Sequence, residues 1–232
     1  MITQSKGKIF LGDERGLLEN DKLRSLNVFN FGNYQNIHKE AFGALYGLSE
    51  NTLAADTNIK WIVTENTVVV LIPIVGIIRV NDNTGGEDQL QAGMAKLFHL
   101  PAGASYKVMN PYEDELVKYL QLWIKVPTNR AHESQMAWFD LNNYKLTELF
   151  FQKQAGEIKY TCSLMKLDGR QEDIYYRKNA ASGVFAYAIQ GALEVQYRLM
   201  HEGDGLALWD VDEVEFEALS NDAILLIVEV AL

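Results

Sequence analysis

The sequence predicts a mostly β protein in which one closed β unit occurs twice. Three observations carry that expectation. Short apolar runs rich in Val, Ile, Leu and Tyr recur along the 232 residues, each bounded by Gly, Asn or Asp clusters, which is how strands are punctuated. One pattern repeats: IVGIIRV at 74–80 returns as IQGALEV at 189–195, 115 positions on, and AGMAKLF at 92–98 returns as EGDGLAL at 202–208, 110 positions on. The intervening loop is therefore five residues shorter in the second copy. Helical spacing, finally, is confined to short stretches between the copies.

In the first copy, strands are expected at 60–63, 67–73, 77–81, 95–100, 106–110 and 116–126. The run TVVVLIPIVGII at 67–78 is continuously apolar, as a strand covered on both faces would be. It is broken by Pro73 and Gly76, and it is shorter than the roughly 20 residues that a membrane helix needs. Between the copies, 132–138 and 142–151 (NNYKLTELFF) have apolar residues near helical spacing, the latter behind Asn142 as a cap, so short helices are expected there. In the second copy, strands are expected at 158–167, 183–189, 192–197, 205–209 and 224–230. The resulting organisation is an N-terminal barrel at 1–126, a connecting segment at 127–155 and a C-terminal barrel at 156–232, with the N-terminal residues available to complete the second barrel. Closure into barrels removes the exposed sheet edges that units this short would otherwise carry.

Composition narrows the function classes. Lys and Arg number 21 against 31 Asp and Glu, a formal charge of −10, and the densest basic stretch is only Tyr176-Arg177-Lys178. Phosphate backbones are gripped by clustered cations, so no direct nucleic-acid binding is expected. The charge serves solubility or marks a surface for a protein partner. Cys162, the single cysteine, forms no internal disulfide and no thiolate metal site, and the N-terminus carries no apolar core followed by a small-residue cleavage site. The expectation is a cytoplasmic protein with no membrane segment.

The chemistry should sit where two glycines and a proline mark a turn into the barrel. Gly93, Pro101, Gly103, Tyr106 and Asn110 follow the spacing of the second signature of the cupin superfamily, except that a tyrosine stands where that signature has histidine. Upstream, Glu14-Arg15-Gly16, the stretch from Phe29 to Tyr34 and Phe42-Gly43-Ala44-Leu45 resemble the opening of pirin proteins. Downstream, LQLWI at 120–124 and GDGLALWD at 203–210 resemble the ends of the two pirin barrels. The resemblance covers nearly the whole chain. It implies a bicupin, two cupin-type jelly-roll barrels of the double-stranded β-helix kind.

The resemblance also implies what a metal site would require. Pirins that bind iron, or act as quercetin 2,3-dioxygenases, carry a T-H-P-H-R-D-M-E stretch with two histidine ligands and a later H-x-E that supplies a histidine and a glutamate. Aligned without gaps from Ala44-Leu45, those four positions are Ile62, Thr64, Tyr106 and Val108 here. Only Tyr106 has a donor atom of any strength, and non-haem iron needs several imidazole and carboxylate ligands converging with open positions. The metal site is therefore expected to be degenerate, with no cofactor. Iron or another divalent transition metal enters only if an atypical ligand set exists.

Other constellations are bland. His38, His99, His132 and His201 show no spacing that pairs them as ligands, and the second copy has no H-x-H. Glu65 reads as an exposed carboxylate, and Cys162, in an apparent strand without a nearby histidine, reads as a small buried hydrophobe. Asp82 through Gly86 make a hairpin loop, since no G-K-[ST] follows. No catalytic residue is assigned. Ile62, Thr64, Tyr106 and Val108 are expected to line a small, largely apolar cavity, either filled by side chains or open to a small aromatic ligand. The function expected is that of a non-catalytic small-molecule-binding or regulatory, protein-interaction module, more a binder than an enzyme. The alternative is an oxidoreductase like quercetin 2,3-dioxygenase with an atypical metal site.

Overall fold

The structure, a computed structural model, describes residues 5–32, 34–82, 86–127, 134–154 and 157–232. Asn33, the 83–85 loop tip, His132 with the rest of 128–133, and the 155–156 boundary lie outside the described residues.

The chain opens with β1 (Gly7–Phe10) and a 3-10 turn at Gly12–Glu14. There follow β2 (Gly16–Glu19), β3 (Leu23–Asn27), β4 (Leu45–Leu53), β5 (Asn58–Ile62), β6 (Thr67–Val75), β7 (Ile77–Asn81), β8 (Glu87–Gln91), β9 (Met94–Leu100), β10 (Ser105–Met109), β11 (Val117–Lys125) and β12 (Gln135–Trp138). After a second 3-10 turn at Leu141–Asn143 come β13 (Thr147–Gln154), β14 (Glu157–Leu167), β15 (Glu172–Tyr176), β16 (Ser182–Gln190), β17 (Leu193–Val195), β18 (Arg198–Met200), β19 (Gly205–Leu208), β20 (Glu213–Ala218) and β21 (Ala223–Ala231).

Two compact units result, Gly16–Trp138 and Met1–Arg15 with Phe139–Leu232. In the first, a seven-stranded sheet in the order β12-β9-β6-β11-β4-β3-β2 and a four-stranded sheet β5-β10-β7-β8 enclose a core that includes Val69, Leu71, Phe98, Tyr106, Tyr119 and Trp123. In the second, a six-stranded sheet β1-β19-β16-β21-β14-β13 and a four-stranded sheet β15-β20-β17-β18 enclose Met165, Tyr175, Val184, Leu193, Val214 and Ile227. Strand residues alternate between these cores and the outer faces, as the pleat demands.

The ladder registers reproduce the sequence repeat. Val69 lies opposite Phe98 on β9 and Trp123 on β11, and Val184, 115 positions on, lies opposite Leu208 on β19 and Glu229 on β21. Phe98 and Leu208 are 110 positions apart, the second offset of the repeat. The turn glycines correspond as well. Gly76 and Gly191 take φ of +77° and +80°, and Gly93 and Gly203 take +88° and +86°, backbone settings that a side chain would strain.

The structure corrects both helix expectations and one boundary. Residues 142–151 are not a helix: the Asp140 carboxylate caps the 3-10 turn by accepting from the Asn142 N–H, Tyr144 turns left-handed, and β13 follows. A register shift between Glu148 and Phe150 lets Leu149 and Phe150 both be buried, so a bulged strand imitates helical spacing. The described part of 132–138 is strand β12, paired to β9. The boundaries move only in the connecting segment, whose described residues 134–138 belong with the first unit, while residues 5–15 join the second through β1 pairing with β19, as the sequence left open.

Candidate functional site

The first barrel interior is set by how β10 pairs with β5. Tyr106 lies opposite Trp61 and Val108 opposite Ile59, so Trp61, Tyr106 and Val108 point inward together. Val63, just beyond β5, is also fully buried; its N–H donates to the Ala104 carbonyl at 3.0 Å and its carbonyl accepts from the Gly103 N–H at 2.8 Å. Gly103, at φ +82°, makes the turn that brings Tyr106 in. Asn110 closes the strand, its amide donating to the carbonyls of Leu53, Ala54 and Glu115 at 2.7–3.3 Å.

Of the four residues expected from the sequence, Tyr106 and Val108 are in this interior. Ile62 and Thr64 are not: Ile62 is 56% exposed, and Thr64 is exposed as well. The inward positions are one residue earlier, at Trp61 and Val63. Alternation decides it, because Ile62 pairs with Ser105 on the outward face. The signal was present in the sequence, since Lys60 and Thr64 are the polar members of Ile59-Lys60-Trp61-Ile62-Val63-Thr64 and mark the face turned to water.

Aromatic rings and a hydrogen-bonded polar chain, both missed from the sequence, occupy the interior. The Tyr106 hydroxyl donates to Gln121 Oε1 at 2.6 Å and accepts from Trp123 Nε1 at 2.9 Å, while Trp61 Nε1 donates to the Tyr119 hydroxyl at 3.1 Å. Phe98 meets Tyr106 edge-on at 5.1 Å, and Trp61 meets Trp123 edge-on at 6.2 Å. Phe31 closes over both indoles at 5.8 and 5.5 Å, and Tyr46 touches Trp123 at 5.7 Å. Such edge-to-face arrangements suit the ring quadrupoles. Burial holds the Tyr106 phenol well above its ordinary pKa, a neighbouring Tyr119 adds to this, and the Trp123 N–H offsets part of it.

Beside this cluster a cleft of about 300 Å³ is lined by Leu17, Leu18, Asn27, Phe31 and Tyr34 with the backbone of Gly16 and Gly32. Leu17 and Leu18 are exposed, and Asn27 is buried at its base. The remaining candidates stay apart. Glu65 pairs with Lys125 at 3.0 Å, His38 and His201 are exposed, and His99 is half-buried on β9. Cys162 is fully buried, which pushes its thiol up to about 12. Among the described residues no group of three or more His, Cys, Asp or Glu side chains is placed to hold a metal ion, and no helix is long and apolar enough to cross a membrane.

Comparison with known proteins fits this architecture. Residues 159–230 match the family model described as the quercetinase C-terminal cupin domain. A quercetin 2,3-dioxygenase of Escherichia coli (strain K12) is 22% identical over 222 residues, covering 92% of this chain and 94% of that protein. Among solved structures, the bacterial pirin YhhW of Escherichia coli, in complex with nickel(II), superposes with a TM-score of 0.84 at 18% identity over 97% of this chain and 99% of that one. A quercetin 2,3-dioxygenase from Acinetobacter baumannii gives 0.71 at 12% identity over 99% and 88%. The two barrels, the Pro101-Ala102-Gly103 turn and these matches give the chain the bicupin fold, similar to that of bacterial pirins and quercetin 2,3-dioxygenases.

Proposed function

We propose that this bicupin is a binding or regulatory module whose first barrel keeps no resident iron, and that it takes a small planar aromatic ligand in the cleft beside Phe31. One observation carries the reading: the inward strand positions hold Trp61, Val63, Tyr106 and Val108. Iron implied by the family would need imidazole and carboxylate donors there, and these residues do not fit it. Indole and isopropyl groups donate nothing to a metal. The one phenol has its proton committed to Gln121 and a lone pair to Trp123, and burial opposes the phenolate that a metal would want. The cleft supplies the ligand surface, with apolar walls from Leu17, Leu18, Phe31 and Tyr34; the Asn27 amide in its lining already donates to the Gly16 carbonyl and to Ser25.

Metal content by plasma mass spectrometry, on protein purified without a tag, tests the first half. Less than about a tenth of an equivalent of each transition metal is expected; near one equivalent, retained through chelation, overturns the reading. Trp61 and Trp123 both touch Phe31, so their fluorescence reports the second half. Quercetin is the probe, and saturable quenching that Phe31→Ala abolishes is the expected result.

The second reading is an oxidoreductase like quercetin 2,3-dioxygenase, favoured by a relative of that name aligned across 92% of the chain. It requires donors other than the four inward residues. Quercetin-dependent O2 uptake after loading with Fe, Mn, Ni, Co or Cu would establish it, and no uptake with any of the five removes it.

A further inference from the structure

The four-stranded sheets hold equivalent places in their units, β5-β10-β7-β8 in the first and β15-β20-β17-β18 in the second, and their outward faces carry opposite charge. On the first face, Lys107 of β10 lies directly opposite Lys60 of β5, and Arg79 of β7 lies opposite Met109, diagonal to Lys107. All three cations are exposed. The one carboxylate that these strands turn outward, that of Glu87 on β8, stands 3.8 Å from Arg79. Lys60 and Lys107 have no ion pair among the described residues.

The second face reverses the sign. Glu217 of β20 lies directly opposite Glu172 of β15 on one side and Glu194 of β17 on the other, and Glu213 and Glu215 share its side of β20. Arg170 engages Glu217 at 2.9 Å, and the Tyr197 hydroxyl donates to Glu215 at 3.2 Å. Glu172, Glu194 and Glu213 have no ion pair among the described residues. The negative field is felt at Tyr197, whose phenol Glu215 and then Glu194 and Glu213 hold above its ordinary pKa.

Like charges directly opposite one another on a sheet repel, so each face works against its own unit and would be relieved by the charge of the other. Apolar side chains accompany both sets. Ile62 is 56% exposed on the strand that carries Lys60, and Tyr176, Tyr197 and Leu199 are 63%, 46% and 54% exposed among the carboxylates. A recess of about 240 Å³ lined by Ile174, Glu194, Tyr197, Glu215 and Glu217 opens on the acidic face, with apolar walls for the stem of a lysine and carboxylates for its ammonium. Apolar area supplies affinity in such a surface, and charge supplies register.

We infer that these faces are the two halves of one interface, through which the basic sheet face of one copy of this chain docks on the acidic sheet face of a second copy. The occupant is a second copy because the chain itself carries the complement that either face lacks. Unlike faces meet, so the interface is heterologous. From strand spacing and rise, each face covers roughly 19 by 16 Å, short of what a stable interface needs, and the association is therefore weak and salt-sensitive. It is independent of any ligand in the first barrel, since Lys60 and Lys107 are the outward neighbours of the inward-facing Trp61 and Tyr106.

Sedimentation velocity of the full chain tests this, from about 10 μM to about 1 mM protein in about 20 mM and about 500 mM salt. The sedimentation coefficient should rise with concentration at low salt and stay at the monomer value at high salt. Lys60→Glu with Lys107→Glu makes both faces acidic, and Glu194→Lys with Glu215→Lys and Glu217→Lys makes both basic. Each variant alone should associate more than about tenfold more weakly than the wild type, and an equimolar mixture of the two should recover the association. Circular dichroism checks that both variants fold, and the wild-type salt and concentration dependence stands without them. A wild-type monomer at every concentration in low salt, association that persists at high salt, or a mixture of folded variants no better than its components overturns the proposal.

Discussion

Tyr106 shows how one residue type changes what a barrel can do. Its hydroxyl links Gln121 and Trp123 inside a closed aromatic cluster, so its removal leaves two buried polar groups without that partner. Tyr106→Phe should therefore cost about 2 kcal/mol, more than an isosteric apolar swap would suggest, as read from the urea midpoint. A change within a few tenths would mean that the network carries no stability. Protonation gives a second prediction. Burial raises the phenols of Tyr106, Tyr119, Tyr160 and Tyr175 above their ordinary value of 10.0, and raises the Cys162 thiol from 9.0 to about 12. Near and above those ordinary values the unfolded chain releases protons that the folded chain retains, so stability falls with rising pH. Urea midpoints should hold steady with respect to these groups below about pH 9 and drop between pH 9 and 11; a flat profile across that range would contradict the burial of these groups. The sequence made Tyr106 and Val108 legible through the spacing from Gly93 to Asn110. It placed the other pair one residue late because Ile62 is as apolar as Trp61 and Val63, and only the polar neighbours Lys60 and Thr64 reveal the face.

At the scale of elements, legibility followed chemistry. Continuous apolar strands such as β6, β11 and β21 announce themselves because both faces are covered. Strand β20 escapes notice because it alternates, with Glu213, Glu215 and Glu217 on the outer face and Val214 and Phe216 inside. Edge strand β13 imitates a helix through its bulge. Loops are held by side chains rather than propensity, and Asn110 is the clearest case. Its amide donates to three carbonyls, and its Oδ1 accepts from the Tyr112 N–H at 3.0 Å, which ties the end of β10 to the segment after β4 and to the approach to β11. Asn110→Ala strands those carbonyls and should destabilise the first unit by about 2–3 kcal/mol. The check is hydrogen exchange, with faster exchange in β4, β10 and β11 expected; unchanged protection there would mean that water replaces the amide at no cost.

For the molecule as a whole, order along the chain is not order in space. The repeat identified two copies, the ladder registers follow its offsets, and the sequence left open that the N-terminal residues complete the second barrel, to which the structure assigns them. That assignment comes from unpaired backbone groups on β19, which a further strand must satisfy. Strand β1 does so, pairing Gly7 with Leu208 and Phe10 with Gly205. Three further contacts fix the segment. The Gly12 N–H donates to Asp204 Oδ1 at 2.6 Å, Arg15 donates to the Tyr187 hydroxyl at 3.0 Å, and Phe10 lies 5.7 Å from Phe185. Asp204 also accepts from the His201 N–H at 2.8 Å, so the N-terminal segment shares a carboxylate with the turn leading into β19. A chain lacking residues 1–11 should therefore lose protection selectively: amides of β16, β19 and β21 should exchange faster, while those of β4, β6 and β11 keep their rates. Uniform acceleration would mean that the two units unfold as one. No acceleration in β19 would mean that its edge is satisfied by solvent and that β1 contributes nothing to the second barrel.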